Sequence, residues 1–332
     1  MWKLLSKRFQ QAAQLLLLLL FEAANGASLH PWHQWEKEDF DLSHLSIFQN
    51  VKASDVRMLP YPHIAVENAL PLDLYHRLEA AFPEDNQIYN FCEGPKYHVM
   101  ENKRYDIRGY QILGDKSELD PIWKKFMAYH VSQAFYKEVL RVFGPGIRKA
   151  RPDVEAIAHK NLTAMGAKMR LSKDQKADVL LESQISLNSP LKKSFAVAGP
   201  HHDAITKIWG GLLYMRQDND TSTGADLQVI KCNGDCIKIF ERARKANKGN
   251  KPKDIASFHD LELVSEVKYS KNMLFWFING YDAVHAVTPR QPTPYSRRFL
   301  NFVGQAPQYN GIVPRPKPLA PRRPAFKQKK RG

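Results

Sequence analysis

Apolar positions recur along this chain with two different periods, and the change from one to the other divides it. Over residues 64–82 a short apolar stretch passes into a segment where Leu72, Tyr75, Leu78, Ala81 and Phe82 fall at helical spacing. Pro71 stands near the first turn, where its missing N–H leaves no bond unmade. The pattern predicts a short strand entering a helix. Residues 121–143 carry the clearest helical stripe, with Trp123, Phe126, Met127, Tyr129, Val131, Phe135, Val139 and Leu140, and Gly144-Pro145-Gly146 is expected to stop it. An aromatic stripe of this kind reads as core. From about residue 183 the period shortens. Residues 183–197 read as a strand interrupted at Pro190, and short apolar runs follow at 208–215, 226–230, 272–277, 281–289 and 297–303. Helices first and strands later predict an α+β fold. No internal repeat is visible.

The ends do not follow either period. Residues 1–27 place Lys3, Lys7 and Arg8 before an apolar run of seven residues and a small-residue stretch, Ala23-Ala24-Asn25-Gly26-Ala27. That is the order of a secretory signal. The run falls short of the ~20 residues that span a bilayer, and Gln10, Gln11 and Gln14 dilute it. A helix docking on the rest of the chain fits as well. The expectation is a cytoplasmic protein, or the secretory pathway if 1–27 is a signal peptide. Residues 28–60 are aromatic and polar without periodicity, and 28–182 as a whole is expected to be a helical support region.

Composition changes the picture mainly at the far end. With 332 residues and 43 % hydrophobic content the chain can bury a full core. Its formal net charge is +15, and eight of those charges lie in 306–332, a proline-rich segment without an acid. That tail is expected to be disordered. A second basic cluster at 242–253 reads as a lysine-rich insertion between strands. Basic segments can meet polyanions, but no aromatics interleave with the tail's arginines as base stacking would need. A solvated appendage is the favoured reading and polyanion contact the weaker one. Cys92, Cys232 and Cys236 are too few and too irregular for a disulfide scaffold. Cys232 and Cys236 flank Asn233-Gly234-Asp235, which reads as a hairpin tip where a local disulfide is conceivable.

The candidate chemistry lies in Gly199-Pro200-His201-His202-Asp203 and, far downstream, in His285 and Arg297. On an extended segment His201 and Asp203 share a face, while His202 points the other way. A distant histidine can complete a two-His, one-carboxylate face, the set that suits a non-haem Fe(II) centre with open positions. Histidines that cap strands or sit satisfied in a core are the competing reading. A zinc site is weaker, because structural zinc favours cysteine-rich sets.

The ordered set is more specific than His-x-Asp alone. It comprises His201-His202-Asp203, the run Asn272-Met273-Leu274-Phe275-Trp276-Phe277, then Val284-His285-Ala286-Val287-Thr288-Pro289, and the late basic strand Arg297-Arg298-Phe299-Leu300-Asn301-Phe302-Val303. On these residues the chain resembles the Fe(II)/2-oxoglutarate-dependent dioxygenases, nearest to the prolyl-hydroxylase-like branch. The resemblance implies a double-stranded β-helix (jelly-roll) catalytic core over 183–305, with N-terminal helices packed on it. It implies Fe(II) held by His201, Asp203 and His285, with 2-oxoglutarate and O2 as cosubstrates. The outcome would be hydroxylation of a peptidyl or small-molecule substrate with release of succinate and CO2. Halogenating relatives lack the carboxylate ligand, so Asp203 favours hydroxylation.

The far carboxylate of 2-oxoglutarate needs a buried cation, and the planar fork of arginine suits it. Arg297 and Arg298 face opposite ways on a strand. The family pattern favours Arg297, with Asn301 on its face as a second contact, and leaves Arg298 as an ordinary exposed strand residue. Tyr214, like tyrosines at similar places in the family, is a candidate donor to 2-oxoglutarate; a core tyrosine is the equal alternative. Asn272 reads as a turn residue, and His98, His159 and His259 as structural. Residues 97–109, with Tyr97, Arg104, Tyr105 and Arg108, are either a rim of the site or plain surface. The rival functions are a metal-free barrel that binds an anionic polymer and a nucleic-acid oxidative demethylase.

Overall fold

The computed structural model describes residues 42–93, 101–114, 118–171, 175–195, 199–246 and 260–309. The segment 1–27, Tyr97, His98, His259, most of the second basic cluster and all but the first residues of the basic tail lie outside them.

In chain order the elements are β1 (His63–Val66), α1 (Leu72–Ala80), α2 (Asp85–Glu93), β2 (Arg104–Arg108), α3 (Gly109–Ile112), α4 (Pro121–His130), α5 (Gln133–Ala150), α6 (Asp153–Ala158), β3 (Ala167–Met169), β4 (Val179–Asn188), β5 (Lys207–Tyr214), β6 (Leu227–Cys232), α7 (Cys236–Ala246), β7 (Leu261–Val267), β8 (Met273–Ile278), β9 (Val284–Val287) and β10 (Arg297–Gln305). The main sheet runs β1-β8-β5-β10-β4-β2, all antiparallel, with β3 parallel to β4. A smaller antiparallel sheet runs β7-β6-β9. Tyr214, Phe275 and Phe299 of the main sheet pack on Leu227, Val229 and Val267 of the smaller one. The result is a mixed α/β architecture with two facing antiparallel sheets and no closed barrel among the described residues.

Helices cover the other face of the main sheet. Alternation sends Trp209, Trp276, Leu300 and Phe302 into the helices, where all four are essentially inaccessible. The two indoles lie 6.1 Å apart and within 25° of parallel, and glycine makes room for them. A Cβ on Gly304 would come within 2.2 Å of the Trp209 ring, and one on Gly211 within 2.1 Å of the Trp276 ring. Each fully buried side chain of the Leu or Phe class contributes roughly 1.5–3 kcal/mol, so this layer anchors the fold.

The structure corrects the predicted elements in four places. The 121–143 stripe is two helices, because the chain leaves α4 at Val131 and restarts at Ser132, whose Oγ accepts the Phe135 N–H at 3.2 Å. The apolar stripe continues across the break, so periodicity alone could not reveal it. Gly144-Pro145-Gly146 does not end α5, which runs through Pro145 to Ala150. A proline inside a helix costs about 3 kcal/mol, and the burial of Val142, Phe143 and Ile147 around it offsets that. Finally, the 28–182 region is not helical throughout, since β1, β2 and β3 all join the main sheet. The strand expected over 183–197 begins at Val179 and ends at Asn188, two residues before Pro190.

Cys232 and Cys236 form a disulfide that joins the end of β6 to the start of α7, so their segment is a strand-to-helix corner rather than a hairpin tip. Among the described residues no helix is long and apolar enough to cross a membrane.

Candidate metal centre and its pocket

His201 lies just before β5, and His285 lies in β9. Their backbones exchange two hydrogen bonds, His201 N–H to His285 C=O at 3.0 Å and His285 N–H to His201 C=O at 2.9 Å. This antiparallel bridge sets the two rings 4.4 Å apart. Asp203, two residues on, returns to the same face. The ligating atoms of His201, Asp203 and His285 all lie within 4.8 Å of one another, the one such His/Asp cluster among the described residues.

Their protonation suits metal binding. Nδ1 of His201 lies 2.8 Å from Gly199 C=O and Nδ1 of His285 lies 3.1 Å from Ala283 C=O. Those carbonyls place the proton on Nδ1 and leave Nε2 as the lone-pair atom of each ring. Burial pushes the His285 imidazolium down to about 4, and the neighbouring His201 pushes the same way, so the ring is neutral near pH 7. Burial works against the Asp203 carboxylate, but His285, Lys207 and His201 together hold its pKa below the ordinary value. Lys207 Nζ stands 3.1 Å from Asp203 Oδ2. His202 turns away, its ring edge-on to Phe240 and Tyr281.

The cluster opens into a cavity of about 330 Å³ between the two sheets. Strand alternation determines its walls. From β10 it receives Arg297, Phe299 and Asn301, and from β4 Glu182, Gln184 and Asn188. At one end Arg297 is only 4 % exposed. Its guanidinium lies over the rings of Tyr214, Phe299 and Tyr269 at 4.8, 4.9 and 5.2 Å. One terminal nitrogen donates to Ala225 C=O at 3.2 Å, while Nε is buried without a partner among the described residues. No carboxylate pairs with this guanidinium among the described residues. Tyr214 lies fully buried beside it, and its hydroxyl faces Arg297 without completing a hydrogen bond. Burial raises the Tyr214 pKa, with Arg297 opposing, so the hydroxyl keeps its proton. Asn301 donates to Gln184 Oε1 at 2.8 Å.

Several expectations change here. Arg298 is not an exposed strand residue. It points into the helical side, pairs with Asp85 at 2.8 Å and lies over Phe82 at 4.9 Å, with its side chain only 11 % exposed. Asn272 does turn the chain, with φ of 53°, but it is also a clamp, accepting from Leu70 N–H at 2.9 Å and donating to Leu70 C=O at 2.8 Å. His159 is an exposed helix C-cap with φ of 51°. In the suspected rim Arg104 and Arg108 line the cavity, while Tyr105 faces away and packs on Tyr89. Lys207, Arg170, Asp106, Glu182 and Gln184 were not singled out from the sequence. The alternation of Gln184, Ser186 and Asn188 with Ile185 and Leu187 is a readable signal of a strand with one polar face.

No protein-family profile matches the chain, and no curated protein matches it. Solved structures similar to it include a Pseudomonas putida prolyl-4-hydroxylase, with 12 % identity over 76 % of this chain and 97 % of that one, at a TM-score of 0.40. Another is a prolyl hydroxylase from Trichoplax adhaerens in complex with a hypoxia inducible factor peptide, with 9 % identity over 84 % of this chain and 99 % of that one, at a TM-score of 0.40. A third is the α-ketoglutarate-dependent carbocyclase SnoK of nogalamycin biosynthesis, with 8 % identity over 80 % and 84 % and a TM-score of 0.38. The capacity of the pocket is therefore read from its own side chains.

Those side chains fit a metal and a carboxylate cosubstrate. The cluster offers two imidazole nitrogens and a carboxylate oxygen, the donor set of a facial non-haem Fe(II) site. Nearby, a buried guanidinium without a counter-charge and an orphaned hydroxyl are groups that a bound carboxylate would satisfy.

Proposed function

We propose that this protein is an Fe(II)- and 2-oxoglutarate-dependent dioxygenase built on a double-stranded β-helix core, hydroxylating a small-molecule or peptidyl substrate. The observation that carries this reading is Arg297. A buried arginine without a carboxylate is costly, because burial removes its hydration and nothing opposite replaces it. Aromatic rings supply part of the compensation. A planar, bidentate acceptor would supply the rest.

In this reading His201, Asp203 and His285 hold Fe(II) through their two Nε2 atoms and one carboxylate oxygen. Bound Fe(II) would supply O2 activation, coupled to decarboxylation of 2-oxoglutarate to succinate and CO2 and to hydroxylation of the substrate. The remaining work belongs to the chain. Arg297 binds the distal carboxylate of 2-oxoglutarate, and Tyr214, still protonated, donates its hydroxyl hydrogen to the same group. Gln184 holds Asn301 on the same wall as a second polar contact. Lys207 engages one oxygen of Asp203 and leaves the other to the metal. Phe277, its ring tilted against His285 at 4.8 Å, and Phe299 keep water away from the reacting positions.

Anaerobic reconstitution with Fe(II), followed by addition of O2 and 2-oxoglutarate, tests the proposal. Succinate is expected in amounts that depend on added Fe(II) and 2-oxoglutarate, even before a substrate is known. No succinate under any metal loading would sink it.

A further inference from the structure

The cavity holds more positive charge than the proposed cosubstrate can use. Among the described residues five cations line it, Arg104, Arg108, Arg170, Lys207 and Arg297, against three carboxylates, Asp106, Glu182 and Asp203. Fe(II) and the two carboxylates of 2-oxoglutarate cancel each other, leaving two positive charges in excess.

The hydrogen bonds show where the excess lies. Arg104, Asp106 and Arg108 alternate along β2 and so face the cavity together. Asp106 is taken by Arg104 Nε at 2.8 Å and by the Ser186 hydroxyl. Glu182 is held on one oxygen by Arg170 at 2.6 Å and on the other by Gln184 Nε2 at 2.7 Å. Arg108 reaches that already satisfied carboxylate only through Nε, at 3.5 Å, with its side chain half exposed. The contact orients the guanidinium without saturating it. Arg108 is thus a positioned cation at the cavity, and its terminal nitrogens have no partner among the described residues.

Resting on the dioxygenase reading, we propose that the primary substrate is a small acid whose carboxylate or phosphate group is seated on the Arg108 fork. Size favours a free molecule. Ligand cavities typically span roughly 300–1,000 Å³, and this one, at about 330 Å³, must also take 2-oxoglutarate.

The test is equilibrium binding to the full chain in Mn(II) and saturating 2-oxoglutarate, which occupies Arg297. The probes are matched pairs: L-aspartate and L-asparagine, L-glutamate and L-glutamine, O-phosphoserine and serine, with an acidic pentapeptide as a separate arm. At least one free acid is expected to bind and its neutral partner not to. Arg108→Gln should weaken that binding by roughly ten- to hundredfold, the worth of a hydrogen bond between charged groups. Arg108→Lys should recover part of it, and Lys231→Gln, on the smaller sheet, should change nothing. Neutral probes binding as well as acids, acid binding unchanged in Arg108→Gln, or binding confined to the pentapeptide would each overturn the proposal. Succinate release is measured in parallel. Its absence alongside Arg108-dependent acid binding would remove the dioxygenase reading while leaving the anion site standing.

Discussion

The two faces of the main sheet are built from the same strands and obey opposite rules. On β10, Leu300 and Phe302 enter the helical layer, while Arg297 and Asn301, their neighbours in sequence, enter the cavity. In the helical layer polar groups are paired off. His130 is wholly buried, yet Nδ1 lies 2.7 Å from Phe126 C=O and Nε2 accepts the Ile47 N–H at 3.2 Å. Tyr136 donates to Leu162 C=O at 2.8 Å and Trp123 to Ala81 C=O at 2.7 Å; Trp276 Nε1 is an exception. On the cavity face Arg297 and Tyr214 are equally buried and remain incompletely partnered. One face spends its side chains on stability. The other keeps donors and a charge in reserve for a ligand.

Substitutions on the two faces should therefore separate activity from stability. The largest expected effect is Asp203→Ala, which should reduce Fe(II)-dependent succinate formation to background while the thermal unfolding midpoint without metal stays near that of the parent. Substantial turnover in this variant would remove Asp203 from the ligand set.

Across the sheet, Phe302→Ala should do the reverse. Emptying a buried aromatic site costs about 3–5 kcal/mol, so urea unfolding should shift strongly while succinate release per folded molecule is largely kept. If Phe302→Ala lost activity without losing stability, the division between the faces would be wrong.

The adjacent arginines sharpen the comparison within one dipeptide. Truncating one partner of a buried charge pair costs roughly 3–5 kcal/mol, and each 1.4 kcal/mol is about tenfold. Arg297→Ala should raise the 2-oxoglutarate requirement of succinate release by about two orders of magnitude, and Arg297→Lys should recover part of it. Arg298→Ala should leave that requirement within a few fold. It should instead lower stability by about 1 kcal/mol through loss of the part-buried Asp85 pair. A large 2-oxoglutarate defect in Arg298→Ala with a normal Arg297→Ala would invert the strand.

A further effect concerns protons. Burial lowers the His130 pKa to about 3 from the ordinary 6.5, so between those values the unfolded chain binds the extra proton. Stability then rises with pH in that window and is lost as pH falls below about 6.5. At pH 5.5 this group's share is about 1.4 kcal/mol. His63 and His285, also lowered by burial, act in the same direction. In His130→Gln the loss of stability between pH 7.5 and 5.5 should therefore shrink by about that amount. An unchanged pH slope in urea unfolding would show that His130 is not neutral in the folded state.

Local periodicity determined much of this molecule. Alternation of two places His201 beside Asp203, turns His202 aside, and sends Arg297 and Arg298 to opposite faces. These relations hold within a few residues, so the sequence alone carries them. Tertiary structure decided which distant segments meet. The pairing of β2 with β4 brings Arg108 to Glu182, and β3 beside β4 brings Arg170 to the same carboxylate. Arg298 found Asp85 across 213 positions of chain. The break at Val131–Ser132 and the continuation of α5 through Pro145 depend on what packs around them, not on the stripe itself. Strand pairing has no local code. A basic residue on a predicted strand is a surface charge, a buried ion pair or a ligand contact according to which strand lies beside it, and only the folded sheet settles which.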